Sequence, residues 1–157
     1  FFNFQHIVRI TADCPAIDPD VIDRVVGEYF VSAADYAANS LEGTYPDGED
    51  VEVFSFDVLR RAWNDAKKLS EREHVTPYIF EHPDIFRMEQ VVAIGDRFFP
   101  DLRLTVDTQA DYDFVRVFFD RLYDKNPFFG IDEVLSLLRL SPELRAINAH
   151  ITQKPMV

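Results

Sequence analysis

The chain has 157 residues, enough for one domain with its own core, and 47% of them are apolar, as in folded proteins. The net charge of −12 argues against electrostatic binding to nucleic acid or to a membrane surface, but it allows one nucleotide held by local cations or a metal. No apolar run approaches the ~20 residues of a membrane helix. The single cysteine, Cys14, excludes an internal disulfide and fits a reducing cytoplasm. Because the chain begins at Phe1 without a signal-peptide pattern, we expect a cytoplasmic protein whose natural sequence starts further upstream.

Strand-like and helix-like stretches alternate along the chain, which predicts an α/β domain with a mainly parallel sheet. The first strand is predicted at residues 6–11, followed by a helix with start signals at Asp18 and Pro19. A turn is predicted at residues 44–50, where Pro, Asp and Gly stand in turn-forming order. The later strands are predicted at 35–39, 51–56, 86–94 and 102–106.

Capping signals predict where the remaining helices start. These signals are Ser55 or Asp57, Ser70 with Glu73, Thr76-Pro77, Thr108 with Asp111, Asp132, and Ser141-Pro142. The helix after Ser55 is expected to turn Trp63 inward together with its aliphatic residues. Because the helices outnumber the strands, we expect the strands that complete the sheet in a segment before Phe1.

Two predicted strands end in an acid that a helix follows. One is "VRITADCP" with Asp13, and the other is "RLTVDT" with Asp107. Ligands of open α/β sheets bind at the carboxyl ends of strands, and two carboxylates there suit Mg²⁺, which fills its other positions with water and phosphate oxygens. Taken singly, Asp13 is more simply a turn residue and Asp107 a helix-start residue, and the pattern leaves both interpretations of the pair open.

Two other side chains have a chemical and a structural interpretation. His74, in "SEREHVTPY", could contact a substrate, but composition favours a histidine bonded to a helix end. Cys14 would need a neighbouring base to act as a nucleophile, so a packing role is favoured. The sequence has no G-x-x-x-x-G-K-[ST], G-x-G-x-x-G or G-x-S-x-G motif.

Five segments occur in a recognisable order: "VRITADCPAIDPDVIDRVV", "TYPDGEDVEVFSFDVLRRAW", "SEREHVTPYI", "RLTVDTQADYDFVRVFF" and "INAHITQK". Together they resemble the SpsF-type cytidylyltransferases, spore-coat polysaccharide biosynthesis proteins related to the CMP-Kdo and CMP-sialic acid synthetases. The likeness runs from about His6 to Lys154. Its most specific parts are "RITADCP" and the pair "DGEDVEVFS" and "SEREHVTPY".

The resemblance implies a three-layer αβα nucleotide-diphospho-sugar transferase fold of the GT-A-like kind. Residues 1–157 would form one domain, the C-terminal portion of a cytidylyltransferase-like domain whose N-terminal strands are missing. The implied reaction transfers a nucleotidyl group, CMP from CTP, to a sugar or sugar acid with release of pyrophosphate, in surface polysaccharide biosynthesis.

The resemblance also implies which residues carry the chemistry. Asp13 and Asp107 would be the catalytic acids that hold Mg²⁺, since they stand at the family's metal positions. Arg9 and Thr11 would shape the strand end. The candidates for the sugar pocket are Asp50, Glu52, Glu71, Arg72 and His74.

One departure from the family pattern limits this expectation. Such proteins begin with a strand and a loop resembling G-S-x-R-L-P-G-K that grips the nucleotide, and nothing like it occurs here. We therefore expect the chain to be inactive alone, and the unpaired first strand to associate as a homodimer or by swapping. Two alternatives stay open: a non-catalytic binding or assembly module on the same half-fold, and a sugar nucleotidyltransferase that uses UTP or GTP. The sequence specifies neither the sugar nor the base.

Overall fold

A four-stranded sheet is the centre of the computed structural model, which describes residues 4–152. Its strands are β1 (His6–Arg9), β2 (Tyr36–Ala38), β3 (Glu52–Ser55) and β4 (Met88–Gln90), in the order β1-β3-β2-β4. The α-helices are α1 (Pro19–Ser32), α2 (Phe56–Asp65), α3 (Leu69–Glu73), α4 (Pro77–Phe80), α5 (Gln109–Leu122) and α6 (Ile131–Leu140). Short 3₁₀ segments lie at Gly95–Arg97 and Pro142–Ile147. The predicted α/β class is confirmed.

The prediction of a mainly parallel sheet is wrong, because two of the three strand pairings are antiparallel. Strand β3 is antiparallel to β1 and to β2, and only β2 and β4 pair in parallel. The crossover through α1 does make β1 and β2 run in the same direction, as a helix between two strands predicts. The later strand β3 then inserts between them, so they are not neighbours. Sequence order alone does not reveal such an insertion.

Helix starts are the most accurate of the local predictions. Ser55 caps α2 by accepting a hydrogen bond from the backbone N–H of Val58 at 3.2 Å. Thr108 caps α5, and the Asp111 carboxylate accepts the Thr108 backbone N–H at 3.0 Å, completing the predicted reciprocal box. Both signals are local in sequence, so tertiary structure need not create them.

Asp18 caps two helices at once. One carboxylate oxygen accepts the backbone N–H of Asp20 in α1 at 2.8 Å, and the other accepts that of Ile131, the first residue of α6, at 2.9 Å. A side chain at Gly130 would meet the Asp18 carboxylate, since its Cβ would lie 2.4 Å from Oδ2. The buried Asp18 therefore fixes where α1 and α6 begin.

Two predictions about the region after β3 are wrong. Helix α3 begins at Leu69 rather than Ser70, because the Glu71 carboxylate accepts the backbone N–H groups of Lys67 and Lys68 at 2.9 and 3.0 Å. Trp63 is 68% exposed instead of turned inward. In this position the indole ring is stacked by the Arg72 guanidinium, whose Cζ lies 4.4 Å from the ring centroid.

The predicted strand at 102–106 does not join the sheet. The Asp47 backbone N–H donates to the Leu102 carbonyl at 2.9 Å, and the Leu104 N–H donates back to the Asp47 carbonyl at 2.6 Å. Gly48 allows this close approach: its φ is +105°, and an added Cβ would lie 2.8 Å from the Leu104 backbone. These two hydrogen bonds attach the segment to the turn at 44–50 and not to a strand of the sheet.

Apolar residues pack on both faces of the sheet because successive strand side chains point to opposite sides. Ala37 and Val53 belong to a core cluster with α1, α5 and α6, whereas Tyr36 and Phe54 belong to a second cluster with α2 and α4. In the described part of the chain, no helix combines the length and apolarity needed to cross a membrane.

Candidate active site

Asp13 lies in the loop that connects β1 to α1. Its backbone carbonyl accepts the Val106 N–H at 2.9 Å, which joins this loop to the segment that leads into Asp107. The Thr11 hydroxyl lies 3.1 Å from the Cys14 sulfur and so supports the same loop. Helix α1 is capped by Asp18, so the carboxylate of Asp13 does not serve as its cap.

The two predicted metal acids line one polar cavity of about 530 Å³. Asp13 contributes from the loop after β1, and Asp107 from the segment before α5. The other lining residues are Asp47, Arg103, Thr105, Thr108, Ile151 and Thr152. The structure thus brings the pair together, although more than ninety residues separate them in sequence.

Arg103 is the central cation of this cavity, and sequence reasoning missed it. Its guanidinium donates to the Asp47 carboxylate at 2.8 Å and to the Asp111 carboxylate at 3.0 Å, and it also forms an ion pair with Asp107. Asn148 donates to the same Asp111 oxygen, Oδ1, at 3.1 Å. No spacing rule connects Asp47 to a residue 56 positions later, so the sequence offered no signal for this network.

The pKa values of the paired acids reflect a balance between burial and these bonds. Burial opposes ionisation of Asp111, but hydrogen bonds from Arg103, Asn148 and Thr108 outweigh it and lower its pKa to about 2. At Asp47 burial prevails over the attraction of Arg103, so its pKa is raised above the ordinary value. Asp111 is therefore held ionised, whereas burial makes ionisation of Asp47 harder than for an ordinary aspartate.

The donors fit a hard divalent cation. Asp13 and Asp107 both offer carboxylate oxygens to a cavity that has room for phosphate oxygens and water, which is the mixed coordination that Mg²⁺ prefers. Arg103 contacts one oxygen of Asp107 and leaves the other without a bond to it. Among residues 4–152 no group of three or more His, Cys, Asp or Glu side chains is arranged as a metal site, so the protein would supply these two ligands at most.

A second polar group surrounds Glu52 on β3. The buried Glu52 carboxylate forms an ion pair with Arg9 and accepts hydrogen bonds from the Tyr36 hydroxyl at 2.5 Å and the Thr76 hydroxyl at 2.7 Å. Burial, with the neighbouring carboxylate, raises the pKa of Tyr36, so this hydroxyl stays a donor. The structure thus brings the predicted residues Arg9 and Glu52 together.

Asp50 lies between these two groups. Its carboxyl is half-buried and lies within electrostatic reach of Asp47, Glu52 and Asp13. Burial and these three acids raise its pKa to about 7. Asp50 can therefore exchange a proton near neutral pH, unlike an ordinary surface aspartate.

Glu71, Arg72 and His74 lie in and just after α3, outside the polar cavity. The Glu71 carboxylate is used as a helix cap, and Arg72 donates to the Trp63 carbonyl at 3.2 Å. His74 is exposed and ends α3 through its backbone N–H. Thr76, two residues after His74, is the member of this segment whose side chain contacts Glu52. The sugar-pocket assignment of these three residues stays a prediction.

A second, largely apolar cavity of about 460 Å³ adjoins the polar one at Asp13. Helix α5 forms one wall with Tyr112, Val115, Arg116 and Phe119, and the loop after β1 forms the other with Ala12 and Pro15. Asp13 thus lies between a charged and an apolar compartment.

Comparison with known proteins gives the family of the chain. A profile of the family described as Cytidylyltransferase matches residues 1–136. The chain is 32% identical over 142 residues to the spore coat polysaccharide biosynthesis protein SpsF of Bacillus subtilis, covering 87% of this chain and 56% of SpsF. It is also 32% identical over 157 residues to the uncharacterized protein MJ1063 of Methanocaldococcus jannaschii, covering 98% of this chain and 61% of that protein.

A solved structure has the same fold over nearly the whole chain. The cytidylyltransferase from Leptospira borgpetersenii serovar Hardjo-bovis superimposes with a TM-score of 0.82 at 26% identity, covering 97% of this chain and 62% of the other. The chain belongs to the cytidylyltransferase family. Within that family it is of the SpsF type, as the sequence motifs predicted. It spans about three fifths of the length of these relatives.

Proposed function

We propose that the protein transfers a nucleotidyl group, CMP from CTP, to a sugar or sugar acid and releases pyrophosphate, in the biosynthesis of a surface polysaccharide. One observation carries this proposal: Asp13 and Asp107 line the same polar cavity. Family membership supports nucleotidyl transfer as the reaction. SpsF is a spore coat polysaccharide biosynthesis protein, which supports a sugar as the acceptor.

Asp13 and Asp107 are the residues that would hold Mg²⁺, which supplies charge stabilisation at the phosphates and alignment of the reacting groups. Arg103 holds Asp107 and Asp47 in place through its guanidinium and also places a positive charge beside the cavity. Arg9, Thr76 and Tyr36 keep Glu52 oriented at the start of β3, where we place the sugar. Thr11, together with Glu71, Arg72 and His74, is proposed as a more distant contributor to the substrate site.

We further propose the three-layer αβα, GT-A-like arrangement for the whole domain, with more strands than this chain carries. The relatives are longer than the chain, which covers 56% to 62% of them. Activity is therefore proposed for a protein of the relatives' length, and we expect this chain alone to be inactive.

The test measures pyrophosphate release with Mg²⁺, CTP and a panel of sugars, on this chain and on a version extended by the natural residues upstream of Phe1. Release is expected from the extended version, and Asp13→Asn or Asp107→Asn should each lower turnover by about 100-fold or more. Asp23→Asn, an exposed acid on α1, is the matched control. Calorimetric titration with Mg²⁺ should show weaker binding to the two site variants only.

Other outcomes would contradict parts of the proposal. Turnover with UTP or GTP but not CTP would change the nucleotide. Undiminished turnover in both site variants would disprove the metal assignment. If no nucleotide is turned over, a non-catalytic binding or assembly module becomes the better interpretation.

We also propose a homodimer in the cytoplasm, the compartment that the single cysteine favours. Strand β1 lies at the edge of the sheet, and Val8 and Ile10 are 44% and 38% exposed. Such an edge can pair with another chain. Light scattering should give twice the mass of one chain. A monomer at high concentration would contradict the proposal.

A further inference from the structure

The buried side chain of Asn148 contacts two residues of the Arg103 network. Its Nδ2 donates to the Arg103 backbone carbonyl and to Asp111 Oδ1, at 3.1 Å in each case. A primary amide carries two N–H donors, so both hydrogen bonds can form at once. Asn148 therefore ties the backbone of Arg103 to the carboxylate that the Arg103 guanidinium contacts.

The two oxygens of Asp111 hold Asp107 in two ways. Oδ1 accepts the Arg103 Nε–H at 3.0 Å, and Arg103 in turn forms an ion pair with the Asp107 carboxylate. Oδ2 accepts the backbone N–H groups of Asp107 and Thr108 at 3.3 and 3.0 Å. Asp111 is fully buried, whereas the side chain of Asp107 is 55% exposed. The orientation of an exposed carboxylate thus depends on a buried one.

Asn148 also begins the segment that forms one wall of the polar cavity. Its backbone carbonyl accepts the Ile151 N–H at 2.9 Å, which turns the chain there. Ile151 and Thr152 line this cavity together with Asp13 and Asp107. The same residue therefore fixes a wall of the cavity and the arginine that contacts Asp107.

A second buried amide shows what a role in the fold alone looks like. The Asn39 side chain donates to the Glu49 carbonyl at 2.6 Å and accepts the Val51 N–H at 2.8 Å. Neither Glu49 nor Val51 lines the polar cavity. Both amides satisfy the need of a buried polar group for hydrogen bonds, but only the acceptors of Asn148 lead to a predicted metal ligand.

We infer that Asn148 is a positioning residue of the proposed metal site, because through Asp111 and Arg103 it sets the direction of the Asp107 carboxylate. This inference rests on the proposed function, in which Asp107 is a metal ligand. Asn148 is neutral and lies behind Asp111, so it acts by orientation and not by charge. Loss of a group that orients a ligand commonly weakens metal binding by about 10- to 100-fold.

The experiment compares Asn148→Leu with the parent in the extended protein. Leucine has a similar branched shape and no donor. Each protein is titrated with Mn²⁺, a probe ion for carboxylate sites, and the free ion is followed by its EPR signal. We expect the Kd for Mn²⁺ to rise about 10-fold. The Mg²⁺ concentration for half-maximal turnover should rise with it, and the sugar KM should stay the same.

Asn39→Leu is the matched control, because it removes a buried amide with two hydrogen bonds away from the cavity. It should lower the melting temperature and leave the Kd for Mn²⁺ unchanged.

A double variant tests the route through Asp111. If Asn148 acts by way of this carboxylate, adding Asn148→Leu to Asp111→Asn should change the Kd for Mn²⁺ by less than about twofold. A further loss of about tenfold in the double variant would overturn the route.

The outcomes separate this inference from the proposed function. A parent that binds Mn²⁺ but releases no pyrophosphate overturns the function, and a parent that binds no Mn²⁺ overturns both. An active parent overturns the role of Asn148 alone if Asn148→Leu binds Mn²⁺ as tightly as the parent, or loses no more affinity than Asn39→Leu. If Asn148→Leu does not fold, Asn148→Ser, which keeps one donor, decides. An unchanged Kd for Mn²⁺ in that variant overturns the inference.

Discussion

Two groups of carboxylates in this domain differ in whether an arginine forms an ion pair with them. Asp47, Asp107 and Asp111 share Arg103. Glu49 and Asp50, in the short segment before β3, form no ion pair with any described residue. Burial dominates at both of these acids and raises the pKa of Glu49 to about 8 and that of Asp50 to about 7.

The contrast shows that burial alone does not decide the charge of an acid in this fold. Asp111 is as buried as Glu49, yet its pKa is lowered to about 2 because three donors converge on it. Glu49 receives one donor, the Asp18 N–H at 2.9 Å, and its other oxygen is buried without a partner. Converging donors hold Asp111 as an anion, whereas burial without an ion pair raises the pKa values of Glu49 and Asp50.

The largest effect should come from removing the shared cation. Arg103→Met would leave Asp111 buried without its main partner, and breaking a buried pair in this way costs on the order of 3 kcal/mol or more. Urea unfolding at pH 7 measures the loss. Arg116→Met is the control, because its ion pair with Asp120 is exposed and should cost little. A similar loss in both variants would contradict the comparison.

Removing the charge of Asp111 should cost less and should act mainly on the acid side. Asp111 is ionised in the folded chain down to pH 2, whereas the unfolded chain takes up the proton near the ordinary pKa of 3.8. Stability from this group is present above pH 4 and is lost as the pH falls to 2. Asp111→Asn should abolish that acid-side loss and cost about 2 kcal/mol at pH 7.

Urea unfolding at pH 2.5, 4 and 7 tests this expectation. Asp113→Asn, an exposed acid on the same helix, is the control and should follow the parent at every pH. If the free energy of unfolding of Asp111→Asn falls between pH 4 and pH 2.5 as much as that of the parent, Asp111 is not held ionised.

The contribution of Glu49 to stability should depend on pH in the opposite direction. Between its ordinary pKa of 4.5 and its folded pKa of about 8, the folded chain keeps a proton that the unfolded chain has released. Stability from this group therefore falls as the pH rises from 4.5 to 8 and is constant above that. Glu49→Gln, which is neutral throughout, should be more stable than the parent at pH 8 by at least about 1.4 kcal/mol, the equivalent of a pKa shift of one unit.

Thermal unfolding at pH 5 and pH 8 measures the effect of Glu49→Gln. Glu28→Gln, at an exposed position of α1, should change neither value. A variant that is less stable than the parent at pH 8 would mean that an ionised Glu49 is required.

The smallest effect is expected at α3. Arg72→Met removes the stacking of the guanidinium on Trp63 and should cost about 0.5 to 1 kcal/mol, as exposed cation–π pairs do. Thermal unfolding measures this change, with Arg60→Met on α2 as the control. The sugar KM of the extended enzyme tests the prediction that Arg72 belongs to the sugar pocket. If it does, Arg72→Met should raise this KM.

The features that the sequence predicted correctly are local or come from the family motifs. The helix starts at Asp18, Ser55 and Thr108 depend on residues two or three positions away. The structure brings Asp13 and Asp107 to one cavity, although residues 102–106 do not form the strand on which that expectation depended, and their role as metal ligands stays a prediction.

The features that were missed depend on contacts between distant segments. The insertion of β3 between β1 and β2 pairs β3 with a strand more than forty residues earlier, and no local pattern predicts such a pairing. Arg103 was not singled out because its partners Asp47 and Asp111 come from different parts of the chain. Trp63 matched the apolar period of α2, but its stacking partner lies in α3.

The shared cap at Asp18 has a consequence for how the domain opens. One of its oxygens binds the first turn of α1, and the other binds Ile131, the first residue of α6, which lies 113 positions after Asp18. Fraying of either helix start therefore releases the other. The amides of Asp20 and Ile131 should exchange with solvent in one opening event, so the early and late parts of the chain form a single cooperative unit.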